Sequence, residues 1–352
     1  MVMPAYVEEG QLLLKAAQVL VIGAGGLGCP ILTYLAAAGI GYLGIVDDDV
    51  VEESNLHRQV LFSSKDVGQM KAKVAARKIK AQNPFIQVNI HTVRITALNA
   101  KEIISEYDLV IDGSDNFPTR YLINDACVLL KKPLVYGAIH QHEGQVSVFN
   151  YEQKDGSRGP NYRDLFPEPP PRNQIPNCAE AGVLGVLPGI IGCLQANEAI
   201  KIVLKQEGVL SGTLLLFDAM AASVVKVNIA KNANNPLYNE SIELIDYEAF
   251  CGLTPVPAIS LDQLRQLHVN KTIFDLIDVR EVLEFRELPS DGKNIPLSEL
   301  STRAAEISTK KQVVFMCLSG TRSVEAIRML YDLDMEGEWS SLEGGLRTWL
   351  GE

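Results

Sequence analysis

VLVIGAGGLGCPILTYLAAAGIGYLGIVDDDVVEESNLHRQ, running from Val19 to Gln59, decides the fold. Val19, Leu20, Val21 and Ile22 form a short apolar run rich in β-branched residues, which suits a parallel strand buried on both faces. Gly23, Gly25 and Gly28 follow at G-x-G-x-x-G spacing, with Gly26 inside the turn. Pro30 to Ala38 then reads as an apolar helix closed by Gly39. A strand, a tight glycine turn and a helix N-terminus together present free backbone N–H groups to a phosphate. A second strand, Tyr42 to Val46, runs into Asp47, 24 positions after Gly23. An acid there takes the hydroxyls of a ribose. The same spacing also serves a purely structural glycine turn.

The residues beyond Asp47 bear on the ligand. Ser54-Asn55-Leu56-His57-Arg58-Gln59 sets two amides and a guanidinium just past the acid, and Lys71 opens a helix after Gly68-Gln69-Met70. An Arg and a Lys converging on a glycine loop neutralise charge on phosphate oxygens, which suits a triphosphate better than a nicotinamide.

Strand and helix patterns alternate through the first 140 residues, as in a doubly wound α/β sheet. A helix near Gly68–Ala81 stops at Asn83-Pro84. Ile86–His91 and Asp108–Asp112 read as strands, the latter ending in Asp112-Gly113-Ser114-Asp115-Asn116. A helix through Leu130 and the strand Pro133–Ala138 follow. Asp115 lies where such sheets bind ligands, although Asp115 or Asn116 could equally cap the next helix. Val146–Asn150 reads as a strand. Gly156–Pro176 is irregular and proline-rich, a length that marks either disorder or a functional crossing loop. It leads to Asn177-Cys178-Ala179-Glu180-Ala181-Gly182 and a long apolar helix, Val183–Leu204. Leu214–Phe217, Val224–Ile229 and Ile242–Ile245 read as strands.

G-A-G-G-L-G, D-D-D-V-V-E-E-S-N-L-H-R-Q, G-Q-M-K, D-G-S-D-N and N-C-A-E-A-G-V-L-G together resemble the MoeB/ThiF/HesA family, the ubiquitin-activating-enzyme-like adenylyltransferases of sulfur carrier proteins. The resemblance spans roughly residues 5–250. It implies ATP as the ligand, with Asp47 on the ribose. It implies Asn55, Arg58 and Lys71 on the phosphates, Asp115 on Mg2+, and a homodimer. Gly23, Gly25, Gly26, Gly28, Gln59 and Asn116 complete the expected nucleotide set, and Arg58 and Asp115 the catalytic one. In part of the family the cysteine matching Cys178 bonds covalently to the carrier or relays sulfur; the alternative is an incidental loop cysteine.

Two departures stand out. The family's structural zinc sits in two Cys-x-x-Cys pairs, but Asn161, Asp164, Tyr238 and Ser241 stand at those positions, so no thiolate cage is available and no zinc is expected. Relatives also carry an arginine before the first strand that reaches the partner subunit's ATP. No Arg precedes Arg58, so either the sequence starts late or that arginine is lost.

Cys251–Ala258, with two prolines and little charge, reads as a linker to a second α/β pattern of about 95 residues. The expected domains are therefore 1–250 and 258–352. Ile273–Val279 is a strand leading into Arg280-Glu281. Val313–Met316 is another, running into Cys317-Leu318-Ser319-Gly320-Thr321-Arg322-Ser323 and a helix through Leu330. Loop amides and a helix N-terminus at the end of a buried strand favour a thiolate, and Arg322 adds positive charge. The alternative is a buried structural cysteine. This stretch, with D-V-R-E and L-E-G-G-L-R-T-W, resembles the rhodanese sulfurtransferases over about residues 258–352. That resemblance implies that Cys317 carries a persulfide sulfur. The family's Gly-His-Ile segment is replaced by the shortened Pro289–Leu297, expected to be a trimmed loop.

Composition fits this. The chain has 352 residues, 47% of them apolar, and a formal charge of −11, which speaks against a nucleic-acid surface. No apolar run reaches the ~18–20 residues of a membrane span, and Met1-Val-Met-Pro-Ala-Tyr is no signal peptide. The six cysteines show no paired spacing, as expected of reduced cytoplasmic thiols. The expected function is ATP-dependent adenylylation of the C-terminal glycine of a ubiquitin-like sulfur carrier ending in Gly-Gly, followed by sulfur transfer from Cys317. The product would serve molybdopterin or thiamine synthesis. The rivals are a nicotinamide-dependent oxidoreductase with a fused rhodanese, which lacks a Tyr-x-x-x-Lys pair, and a non-catalytic carrier-binding scaffold.

Overall fold

The computed structural model describes residues 8–170, 182–238 and 243–350. The chain divides into two compact units, Met1–Cys251 and Gly252–Glu352. In the first, the described residues form β1 (Gln18–Ile22), β2 (Tyr42–Val46), β3 (Gln87–His91), β4 (Leu109–Asp112), β5 (Leu134–His140), β6 (Glu143–Phe149), β7 (Thr213–Asp218) and β8 (Ser223–Asn228). They make one sheet in the order β3-β2-β1-β4-β5-β6-β7-β8. β1 to β5 pair in parallel; β6, β7 and β8 continue the sheet antiparallel.

The apolar run of β1 fills both layers of core. Val19 and Val21 pack with the helices Gly28–Ala38, Lys71–Gln82 and Leu187–Val203. Leu20 and Ile22 pack on the other face with Ala100–Ser105, Phe117–Leu129 and Tyr247–Phe250. That is the doubly wound arrangement, and β1, between β2 and β4, marks its switch point.

Several elements differ from the sequence reading. The helix expected from Val183 begins at Leu187, because Val183 and Leu184 pair with Gln141 and Pro188 sits in the first helical turn. Residues 243–246 are not a strand, and 242 lies outside the described residues; Asp246 instead caps a short helix, Tyr247–Phe250. A one-turn helix, Tyr162–Leu165, interrupts the expected irregular segment.

That turn is held by buried polar contacts. Arg163 makes a bidentate pair with Asp125 (Nε to Oδ1 2.9 Å, Nη2 to Oδ2 2.7 Å), and Tyr247 Oη donates to the same carboxylate at 2.8 Å. The guanidinium lies 4.6 Å from the centroid of Phe250 and 5.1 Å from that of Tyr121. The neighbouring positions expected to lack a zinc cage bond to one another. Asp164 accepts from Asn161 N–H (2.7 Å), Asn232 N–H (2.8 Å), Asn235 Nδ2 (2.9 Å) and Tyr238 Oη (2.5 Å). Asn161 Oδ1 accepts from Asn235 Nδ2 at 3.1 Å. These oxygens are spent on protein donors and do not fit a tetrahedral zinc site. Ser241 lies outside the described residues.

In the second unit β9 (Ala258–Ile259), β10 (Phe274–Asp278), β11 (Lys293–Asn294), β12 (Gln312–Met316) and β13 (Trp339–Leu342) form a parallel sheet in the order β11-β10-β12-β13-β9. The expected linker thus ends inside β9. The segment expected as a trimmed loop supplies the edge strand β11, held by Asn294 Nδ2 on the carbonyls of Asp278 and Arg280. Val313 and Phe315 face one layer of core, and Val314 and Met316 the other. No helix among the described residues is long and apolar enough to cross a membrane.

Elemental analysis of protein purified without chelators is expected to find less than stoichiometric zinc. One zinc per chain would contradict the account of Asp164 as the centre of a metal-free network.

Candidate functional site

The glycine turn sits where the carboxyl ends of β1, β2 and β4 meet. Gly23 has φ +93°, and a Cβ there would stand 2.7 Å from the carbonyl oxygen of Gly113. Gly23 N–H donates to Val46 O and Gly113 N–H to Ile22 O, both at 2.8 Å, so three strand ends are tied together. Asp47 joins the same knot: its Oδ2 accepts from Ala24 N–H at 2.7 Å and its Oδ1 from Asp49 N–H at 2.9 Å. Burial pushes the Asp47 carboxyl up to about 6, against the pull of Lys71 and with a push from Asp49.

Lys71 is buried at the start of its helix, and its Nζ donates to Asp49 Oδ2 at 3.0 Å. Burial works against its charge, but Asp49 and Asp47, with a further contribution from Asp115, outweigh burial and hold the ammonium above its ordinary value. Asp47, Asp49, Lys71 and Asp115 are therefore one electrostatic cluster. Asp49, the last of the Asp47-Asp48-Asp49 run, was not singled out in the sequence; only Lys71's need for a partner could have found it.

Arg58 and Gln59 flank the turn. A Cβ on Gly25 would be 3.6 Å from Gln59 Nε2, and one on Gly26 would be 3.8 Å from Arg58 Cγ. Gln59 is buried, and its Oε1 has no hydrogen-bond partner among the described residues. Arg58 Nη1 donates to His57 Nε2 at 2.9 Å and to Ser54 O at 3.4 Å. Asn55 is buried, with Nδ2 on Ser54 Oγ at 3.3 Å. Asn116 is differently employed: its Oδ1 caps the helix Phe117–Leu129 by accepting from Thr119 N–H at 3.0 Å. Asp115 stays exposed at the rim. Gln195, a buried amide on an apolar helix and not picked out from sequence, donates to Asp112 O at 2.6 Å. Cys178 lies outside the described residues.

In the second unit Cys317 follows β12, fully buried. Its Sγ accepts from Gly320 N–H at 3.1 Å, and Gly320, at φ +94°, turns the loop into the helix Thr321–Asp332. Leu346 N–H on Cys317 O (2.8 Å) and Arg347 N–H on Leu318 O (3.2 Å) staple the loop from outside. Arg322 departs from its expected role: Nη1 and Nη2 donate to Glu284 at 2.7 and 2.8 Å, so a carboxylate shares its charge. Among the described residues Gly320 N–H is the backbone donor to the sulfur.

These features define a doubly wound domain with an acid, a lysine and an arginine around its glycine turn, joined to a small parallel α/β unit that buries a thiol at the end of its central strand. The chain belongs to the ThiF family, whose model matches residues 1–238. It is 54% identical over 256 residues to the sulfur carrier protein adenylyltransferase of Thermus thermophilus, covering 72% of this chain and 94% of that one. It is 42% identical over 360 residues to the probable adenylyltransferase/sulfurtransferase MoeZ of Mycobacterium tuberculosis, covering 99% of this chain and 91% of that one. The fold is also that of E. coli MccB solved with ATP, at TM-score 0.56 and 22% identity, over 65% of this chain and 68% of that chain.

Gly23→Ala is expected to lower stability by about 1–3 kcal/mol, through its positive φ and the approach to Gly113. Urea unfolding followed by circular dichroism tests this; an unchanged midpoint would mean that the turn tolerates a Cβ.

Proposed function

We propose that this chain adenylylates the C-terminal carboxylate of a small sulfur carrier protein and then transfers sulfur to it. The observation that carries the reading is the pairing, in one chain, of the Asp47–Lys71 cluster at a glycine turn with a buried Cys317 whose sulfur faces a loop N–H. Relatives bearing the names adenylyltransferase and sulfurtransferase over nearly the same length support it. The carrier we propose is ubiquitin-like and ends in Gly-Gly, and the working form is a homodimer.

ATP would lie with its ribose on Asp47, whose ionised carboxylate accepts the hydroxyls. Its phosphates would lie over the glycine turn, within reach of Asn55, Arg58, Gln59 and Lys71. Mg2+, held by Asp115 and the phosphates, would neutralise the leaving pyrophosphate, in keeping with a metal that needs only one or two carboxylates. A carrier carboxylate oxygen attacks the α-phosphorus, and the bond to the pyrophosphate oxygen breaks. Lys71, kept cationic by Asp49 and Asp47, stabilises the charge that gathers there. The task is one of positioning and electrostatics, and it leaves an acyl carbon bearing AMP.

Sulfur follows. The Cys317 thiolate attacks the outer sulfur of a donor such as thiosulfate; a new S–S bond forms and sulfite leaves with the electron pair. The terminal sulfur then attacks the carrier's acyl carbon and displaces AMP. A second thiol attacks the Cys317 sulfur of the resulting acyl disulfide. The S–S bond breaks, the carrier leaves as a thiocarboxylate with the electron pair, and the new disulfide on Cys317 is reduced by an external dithiol before the next cycle. Cys178 is our candidate for covalent contact with the carrier or for this relay.

With a carrier supplied, Cys317→Ser is expected to leave ATP–pyrophosphate exchange near wild type. It should abolish thiosulfate:cyanide sulfur transfer and thiocarboxylate formation, which mass spectrometry of the carrier reads. Asp115→Ala should lower the exchange by about 100-fold. Wild-type thiocarboxylate yield from Cys317→Ser, or unchanged exchange in Asp115→Ala, would refute the corresponding role.

A further inference from the structure

Behind Cys317 lies a pair of buried hydroxyls that the reading above does not use. Ser323 Oγ is 3.8 Å from Cys317 Sγ, 2.9 Å from Gly320 O and 2.7 Å from Ser341 Oγ. Ser341 Oγ in turn lies 3.5 Å from Gly320 O. Ser323 is wholly buried and Ser341 is 3% exposed, so neither hydroxyl turns to bulk water. Ser341 belongs to β13 and Ser323 to the helix Thr321–Asp332, so the contact joins two elements across the core.

A hydroxyl has one proton and two lone pairs, and this limits the arrangement. When Ser323 donates to Gly320 O, its bond with Ser341 requires Ser341 to be the donor, and towards sulfur Ser323 can only accept from an S–H. That order suits the neutral thiol. An anionic sulfur has no proton to give, and among the described residues Gly320 N–H is the backbone donor to it. Ser323 serves it only by turning its proton from Gly320 O to Sγ. The carbonyl keeps Val324 N–H at 3.3 Å as a donor, so the turn does not strand it. Ser341 then donates to Ser323 as before, and a hydroxyl that accepts a hydrogen bond is the stronger donor.

We propose that Ser341 is a positioning residue for the sulfur step: it fixes and polarises the Ser323 hydroxyl, which donates to the anionic sulfur of Cys317. This assignment rests on the sulfurtransferase reading. No bond is made or broken by it; one hydroxyl proton changes acceptor.

The test uses the full chain, with inorganic thiosulfate as donor and cyanide as acceptor. Ser341→Thr and Ser341→Val are a shape-matched pair differing in the hydroxyl, and Ser341→Ala is the plain deletion. The Val and Ala variants should lose about 3- to 10-fold in kcat, with KM for thiosulfate within about 2-fold, while Ser341→Thr stays near wild type. In a Ser323→Ala background, Ser341→Ala should have no further effect, because its path to the sulfur is already cut. Equal kcat in the Thr and Val variants, or losses that multiply in the double variant, would overturn the proposal and leave Ser341 a packing residue. Mass spectrometry of wild-type chain incubated with thiosulfate separates the two levels. Cys317 that gains no sulfur overturns the sulfurtransferase reading and this assignment together; Cys317 that gains sulfur, with Val equal to Thr, overturns this assignment alone.

Discussion

The first unit depends on two glycines meeting. Gly23 ends β1 and Gly113 ends β4, and they approach so closely that a Cβ on Gly23 would strike the Gly113 carbonyl. This contact draws together the ends of adjacent parallel strands at the point where the chain changes direction through the sheet, the place where open α/β sheets bind ligands. One further bond, Ala24 N–H to Asp47, fixes the acid of β2 to the turn that follows β1. The spacing between acid and glycine turn is thereby set by a backbone bond, Gly23 N–H to Val46 O, and by the Asp47 side chain itself.

Around that knot the charges arrange themselves by necessity. A buried Lys71 could not stay charged alone, and Asp49 and Asp47 keep it so. The same lysine moderates the rise that burial imposes on Asp47. Cation and anions hold one another charged, so a polyphosphate bound there, as proposed above, would meet a pre-set ammonium. The second unit solves a related problem with neutral groups. Its buried sulfur receives an N–H from a glycine in the left-handed region, while Arg322 of the following helix pairs with Glu284.

What the sequence disclosed follows from how local each feature is. β1, the glycine turn and the helix Gly28–Ala38 were legible because strand burial, turn geometry and helix start are all written within a few residues. Lys71 at a helix start and Cys317 at a strand end were legible for the same reason. Non-local partners were not. Arg322 looked like a companion of Cys317 because it is five residues away, yet Glu284 of a different helix takes it. Asp164 and Asn161 showed only that thiolates were missing; that Asn232, Asn235 and Tyr238 bind them depends on a contact across some seventy positions. The strand expected near Ile245 gave way to a capped helical turn whose Tyr247 reaches Asp125, again a distant partner.

The central claim is that the knot of Gly23, Asp47 and Lys71 holds a triphosphate nucleotide. Calorimetric titration of the intact chain with ATP in the presence of magnesium, and separately with NAD, addresses it most directly. Saturable heat with ATP and none with NAD is the predicted result. Tight NAD binding without ATP binding would contradict it, and would return the glycine turn to the dinucleotide chemistry that its spacing alone allows.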